Sequence, residues 1–258
     1  MNDAGSVRIH PALAGRYPEV RVSGFTHDDV EVAFSAQVRS LVMPGSRVLD
    51  YGAGRGEWFE DDPSAFRKDL QLLKGRCAEV VGCDVDPAVR NNRAVDRAAV
   101  IDPSRPLPFD NASFDLIVSR YVFEHVVDPA GTAAELMRVL KPGGWLCALT
   151  PNKWGYPALG ARMIPNRHHA AAIGKVQPGG RAAGDVFATR YRLNTGFALR
   201  RYFSGVADVH VQYASGPPAY YFGNGLLFRL FSIMHALQPR GLSTALMIFI
   251  RKHPSVTS

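Results

Sequence analysis

Apolar positions recur with two periods along this chain, and the switch between them predicts its elements. Over Asp28–Val42 the spacing is helical, with Val32, Ala36 and Val38–Leu41 apolar and His27 or Asp28 placed to cap the start. Met43-Pro44-Gly45 stops that helix, since proline cannot continue it. Short unbroken apolar runs follow at Arg47–Asp50, Glu79–Cys83, Ala98–Ile101, Phe114–Ser119 and Trp145–Thr150. Such runs predict strands buried on both faces, hence a parallel sheet. A charged helix is expected over Ala65–Leu73. A clearer one precedes the fifth strand, where Ala133, Leu136, Met137 and Leu140 sit at i, i+3, i+4 and i+7. Lys141-Pro142-Gly143-Gly144 reads as the turn that ends it. Strands alternating with helices predict an α/β doubly wound domain.

Outside that stretch the pattern is weaker. Residues 1–27 read as irregular. Residues 151–190 are rich in Gly, Ala, Arg, His and Pro and read as a long excursion with a short helix near Pro157–Met163. Leu193–Phe203 and Leu226–Leu237 are expected to be helical, and Val206–Tyr213 and Thr244–Arg251 to be strands that extend the same sheet. No linker demands a second domain. The expectation is one domain over 1–258, with core motifs in 47–151, a variable acceptor-side excursion in 152–205, and C-terminal strands with an apolar helix in 206–258.

Composition excludes more than it identifies. With 258 residues, 47% hydrophobic and 21% charged, the chain is neither disordered nor a disulfide scaffold. Cys77, Cys83 and Cys147 are an odd number without CxxC spacing, so no zinc framework and no metal are expected. The net charge of +7 comes from basic residues that read as scattered, which favours a basic soluble surface over a nucleic-acid or membrane footprint. The first residues lack a signal-peptide core, and no apolar stretch is long enough to span a bilayer. A cytoplasmic location is expected.

The candidate chemistry lies at strand ends, where doubly wound sheets bind ligands. Asp50-x-Gly52-x-Gly54-x-Gly56 follows the first strand, Asp84 the second and Asp102 the third. Glycines let the backbone turn sharply and approach a ligand closely. A carboxylate such as Asp84 suits ribose hydroxyls, and one such as Asp102 suits a purine amine. Glu57 stands where a dinucleotide fingerprint has its third glycine, and a first-turn carboxylate opposes a pyrophosphate there.

The ordered segments Val48–Gly56, Gly82–Asp86, Leu107–Phe109, Ser113–Val118, Phe123–Val126 and Arg138–Gly144 resemble class I S-adenosylmethionine-dependent methyltransferases, especially the methyltransferase type 11 group. The resemblance implies a seven-stranded Rossmann-like sheet of order 3-2-1-4-5-7-6 with its last strand antiparallel. It also implies cofactor roles. Asp50 with Gly52, Ala53, Gly54 and Gly56 would line the amino acid end of S-adenosylmethionine. Asp84, with Val85 beside it, would hold the ribose, Asp102 with Pro103 the adenine, and Ser119 and Arg120 would border the methionine end. S-adenosylhomocysteine would be the product. The long connection from Gly56 to Glu79 departs from the simplest pattern and reads as a surface insertion.

Methyl transfer needs alignment above all, with a base only where an acceptor proton must leave early. His125 is the candidate base, with a structural role near a helix start as the alternative. Glu124 is a weaker candidate. His168, His169 and Tyr191 are candidate acceptor contacts. Ser119-Arg120-Tyr121-Val122 stands where DNA-amine enzymes resemble one another in carrying a Pro-Pro run, and no Pro-Cys nucleophile occurs. A small molecule, lipid or glycan precursor is therefore favoured over nucleic acid as acceptor, and oxygen over nitrogen or carbon. A non-catalytic binder and an NAD-dependent oxidoreductase are the competing classes. The apolar tail helix is expected to be buried on the sheet, the alternatives being an apolar acceptor pocket or a peripheral membrane contact.

Overall fold

The computed structural model describes residues 11–62, 64–163, 188–219, 221 and 223–255. Seven strands form one sheet: β1 (Arg47–Tyr51), β2 (Glu79–Asp84), β3 (Arg97–Val100), β4 (Phe114–Arg120), β5 (Leu140–Pro151), β6 (Ala207–Ala214) and β7 (Ala245–Lys252). Their order is β3-β2-β1-β4-β5-β7-β6. The β1–β2, β2–β3, β1–β4 and β4–β5 pairs are parallel, while β7 runs antiparallel to both β5 and β6. The expected order and the antiparallel final strand are both present.

Strand pleating explains the two cores, because successive side chains point to opposite faces. Leu49, Ile117, Leu146, Ile248 and Ile250 face one way, against Leu136, Leu140, Leu199 and Phe203. Val48, Leu116, Val118, Cys147, Leu149 and Phe249 face the other way, against Phe34 and Val38. Each fully buried side chain of this size contributes about 1.5–3 kcal/mol. Both faces are therefore covered over β1, β2, β4 and β5, as their unbroken apolar runs require, whereas β3, read from its run as a buried strand, lies at the sheet's edge with Arg97, Ala98 and Val100 exposed.

The helices are α1 (Pro11–Arg16), α2 (Val20–Ser23), α3 (Val30–Leu41), α4 (Glu57–Asp61), α5 (Ala65–Gln71), α6 (Pro129–Val139), α7 (Tyr156–Met163), α8 (Gly196–Phe203) and α9 (Gly225–Leu237). Several differ from expectation for identifiable reasons. Residues 11–23 are not irregular: two helices too short to show a period fold there, with Ala14, Tyr17 and Val20 buried. The cap of α3 is Asp29, which accepts from the Val32 N–H at 3.1 Å, while Asp28 accepts from the Tyr17 and Thr26 hydroxyls. The connection after Gly56 lies on the surface and is tied down. Arg67 of α5 bonds Asp62 and reaches Asp29 at the head of α3, and Leu73 joins the core. The Lys141–Gly144 turn is absorbed into β5, where a Cβ on Gly144 would lie 2.8 Å from the Asp115 carbonyl. Thr195 caps α8, accepting from the Ala198 N–H, so that helix begins after Leu193 and Asn194.

The largest departure is α9. An all-round apolar helix is expected to be buried. Here only Phe228 is buried, and Leu226, Leu230, Ile233 and Leu237 are 76%, 57%, 58% and 79% exposed.

Candidate functional site

The carboxyl ends of β1, β2 and β4 converge on the glycine loop. The Gly52 and Ala53 N–H groups donate to the Cys83 carbonyl at 2.8 and 3.1 Å, so the loop leans on β2. Gly52 has φ +77°, and a Cβ there would lie 2.1 Å from Val122 Cγ2. Only glycine fits, both for backbone conformation and for space. Gly56 also has φ +77°, and its Cβ would strike Asn92 Oδ1 at 2.4 Å. Gly54 differs: at φ +52° its Cβ position meets nothing within 4 Å, so the loop's tip is open. The Gly54 N–H donates to Asp84 Oδ2 at 2.8 Å, and Asp84 Oδ1 accepts from the Asp86 N–H at 2.9 Å. One carboxylate thus braces the loop and its own turn.

A residue that sequence reasoning missed holds the loop's other side. Asn92 is buried, and its Nδ2 donates to the Ala53 and Gly54 carbonyls at 3.0 and 3.2 Å. Its Oδ1 accepts from the Ala94 N–H. It follows a short 3-10 helix, Pro87–Asn91, with no local sequence signal of that contact.

The electrostatics centre on Asp50 and Arg120. Burial pushes the Asp50 carboxyl up to about 6, with Arg120 opposing the rise and Asp84 adding to it. Burial likewise raises Glu31 of α3, again against Arg120. Arg120 turns to the α3 side of the sheet, 5.5 Å from the Phe34 ring centre, and its Nε and Nη2 are buried without hydrogen-bond partners. Its buried guanidinium is a countercharge to both carboxylates. Ser119 is 1% exposed, and its hydroxyl donates to the Tyr51 carbonyl, fastening β4 to the loop's first residue.

Next along the edge, Asp102 is exposed just past β3. The Ser104 hydroxyl and N–H bond its carboxylate and hold it below the usual carboxylate range. The Ile101 N–H donates to the Asp84 carbonyl, so the two acidic strand ends are neighbours. Val85 and Pro103 are exposed beside them.

Beyond β4 the chain is held in an unusual shape. Tyr121 (φ +57°) and Tyr191 (φ +51°) both adopt the left-handed region, which costs a non-glycine residue about 1–3 kcal/mol and clusters at functional sites. Residues 121–127 form a turn, and α6 begins only after Asp128, whose carboxylate caps it. His125 is therefore not at a helix start. Its Nδ1 lies 3.2 Å from the Ala188 carbonyl oxygen and its Nε2 3.9 Å from Glu124 Oε1. A carbonyl only accepts, so Nδ1 carries a proton and Nε2 is the basic nitrogen of the neutral ring. Glu124 is 4% exposed, so it is not a solvated acid; its Oε2 accepts from the Thr150 hydroxyl at 2.8 Å. Asn194 Nδ2 donates to the same hydroxyl oxygen at 2.6 Å and to the Pro151 carbonyl at 2.9 Å. The Glu124 carbonyl accepts from the Tyr191 N–H, and the Tyr191 ring is buried. His168 and His169 lie outside the described residues. Cys83 and Cys147 are buried in strands, which pushes both thiols up and away from nucleophilic use.

Residues 31–204 match a family model described as a methyltransferase domain. The chain belongs to the class I S-adenosylmethionine-dependent methyltransferases. Among curated methyltransferases it is 29% identical over 201 residues to the ubiquinone/menaquinone biosynthesis C-methyltransferase UbiE of Cupriavidus metallidurans, covering 73% of this chain and 75% of that one. It is 30% identical over 129 residues to the UbiE of Ectopseudomonas mendocina, covering 46% and 47%. It is 31% identical over 143 residues to the ubiquinone biosynthesis O-methyltransferase of Hahella chejuensis, covering 49% and 56%. The chain spans about half the length of the last two relatives. In fold, this methyltransferase is similar to YcgJ of Bacillus subtilis, with TM-score 0.54 and 18% identity over 87% of this chain and 99% of that one. A Mesorhizobium loti S-adenosylmethionine-dependent methyltransferase gives TM-score 0.50 and 20% identity over 85% and 96%.

Proposed function

We propose that this chain, acting as one domain, transfers the methyl group of S-adenosylmethionine to an oxygen or nitrogen of a small molecule, lipid or glycan precursor. The observation that carries the reading is the glycine loop: clamped on two sides by Asp84 and Asn92, open at Gly54, and flanked by the Asp50 and Asp84 carboxylates. That donor set fits the cofactor. A carboxylate such as Asp50, pushed toward neutrality by burial, suits a cationic amino group, which would stabilise its charged form. Asp84 would accept from the ribose hydroxyls, Asp102 from the adenine amine, and exposed Val85 and Pro103 would flank the ring. Ser119 and Arg120 act one step removed, by fixing the loop's base and its charge. The short α4, with Glu57 and Glu60 in its first turn, speaks against a pyrophosphate there and so against an NAD-dependent enzyme.

When bound, the sulfonium supplies an electrophilic methyl group, so the protein's task is to align the acceptor. His125 is the proposed base. Its ring is oriented by the Ala188 carbonyl and stands beside Glu124, and its Nε2 would take the proton from an acceptor hydroxyl. Two relatives named for C- and O-methylation in quinone biosynthesis favour an aromatic or apolar small acceptor. The test uses purified protein, labelled S-adenosylmethionine and a panel of phenols and hydroxylated lipids. His125→Ala should lower turnover about 10²–10⁴-fold while cofactor affinity changes less than about threefold. Unchanged turnover would remove His125 from the chemistry, and saturable cofactor binding with no transfer would favour a non-catalytic binder.

A further inference from the structure

Charge is divided unevenly along the chain. Residues 1–135 hold 15 basic and 21 acidic residues, whereas residues 136–258 hold 15 basic and only two acidic ones, Asp185 and Asp208. No acid follows Asp208. Helix α9 lies in that acid-free part. Its exposed residues Leu226, Leu230, Ile233 and Leu237 follow i, i+4, i+7, i+11 spacing. At 100° per residue they share an arc of about 60°, with Arg229 about 40° beyond its edge. Phe228, on the far side, is the buried anchor. Leu242 is 45% exposed just past the helix, beside exposed Arg240. A groove of about 870 Å³ runs between α9 and α1, lined by Leu226, Phe228, Ile233, Arg16, Arg229 and several small residues.

The register places this face. Ala245, the first residue of β7, pairs with Pro151 at the end of β5 and with Ala214 at the end of β6. The 215–244 connection carrying α9 therefore leaves the sheet at the same edge as the glycine loop. Tyr156, just past β5, ties it there: its ring lies 5.1 Å from that of Phe231, and its hydroxyl donates to the Ala219 carbonyl.

We infer that the exposed stripe of α9 docks on an anionic phospholipid surface, lying in the interface with its leucines inserted and Arg229, Arg240 and Arg16 facing the headgroups. Aligned apolar residues flanked by basic residues, on a helix with no acid, are what an anionic interface recognises. No helix among the described residues is long and apolar enough to cross a membrane, and this mode needs none. The inference stands independently of the methyl-transfer reading.

The test is cosedimentation of the full chain with vesicles of phosphatidylcholine alone or with one third phosphatidylglycerol. Wild type should bind the anionic vesicles at least about tenfold more tightly than the neutral ones, and lose that preference in high salt. Leu230→Glu combined with Ile233→Glu should weaken binding more than about tenfold with an unchanged melting temperature, since both sites are exposed. Arg229→Glu should reduce the preference for anionic vesicles alone. Equal binding by wild type and the double variant would overturn the proposal. So would failure of wild type to bind, including the case of a dimer in solution that the double variant dissolves, which would assign the face to a second copy of the chain.

Discussion

The two sides of the sheet are built from different material. From β1 to β4 the polar groups are acidic and engaged: Asp84 braces the loop, Asp50 and Glu31 share the field of Arg120, and Asp102 is bonded by Ser104. Around β6, β7 and α9 the charge is basic, and large apolar side chains stand in solvent. On the acidic side Asp84 and Asn92 clamp the loop, while the buried Arg120 Nε and Nη2 carry charge without hydrogen-bond partners. On the basic side, helix α9 has one deep anchor, Phe228, and an outward apolar stripe. A clamped loop with an open tip at Gly54 is the arrangement proposed above to hold a small ligand. The uncovered apolar stripe is the face inferred above to dock on an anionic surface.

Substitutions on the two sides should therefore differ sharply in cost. The largest effect is expected at Gly52→Ala, where a Cβ 2.1 Å from Val122 must also tolerate φ +77°. Thermal melts should show a loss of about 3 kcal/mol, with S-adenosylhomocysteine binding abolished. Asn92→Ala comes next. Freeing the Ala53 and Gly54 carbonyls should cost about 1–3 kcal/mol and weaken binding by calorimetry about tenfold. Smallest is Leu226→Ser on α9, where an exposed side chain predicts a change within about 0.5 kcal/mol. Equal costs at Gly52 and Leu226 would break the comparison.

A pH series sharpens it without cavities or clashes. The folded pKa of Asp50, about 6, lies above its unfolded value near 3.8, so the free protein takes up a proton at this group as pH falls through 6. The protonated form is neutral and attracts a cationic amino group less. Affinity for S-adenosylmethionine should thus be constant above about pH 7 and fall up to about tenfold per pH unit below 6. Asp50→Asn should bind weakly and lose that dependence, and a wild-type affinity flat from pH 5 to 8 would contradict the assignment.

Much of this was legible in the amino-acid order. Unbroken apolar runs gave the positions of β1, β2 and β4, where burial on both faces leaves little alternative composition, while β5 begins earlier, at Leu140, and β3 is an exposed edge strand. The Gly52–Gly56 spacing and the acids after β1 to β3 located the loop. What escaped was long-range or collective. Asn92 meets the loop from almost forty residues away, and nothing near it marks that contact. Helices α1 and α2 are too short to show a period. The all-round apolar character of α9 implied burial, and only the packing shows that one stripe is left uncovered. Charges that look scattered residue by residue separate once counted by halves.

The most direct test is calorimetric titration of the wild-type chain and of Asp84→Ala with S-adenosylmethionine, S-adenosylhomocysteine and NAD. The account predicts saturable one-site binding of both sulfur nucleosides, none of NAD, and a loss of about 10–100-fold in Asp84→Ala without unfolding. Binding of NAD in place of the sulfur nucleosides, or equal affinity in the variant, would contradict it.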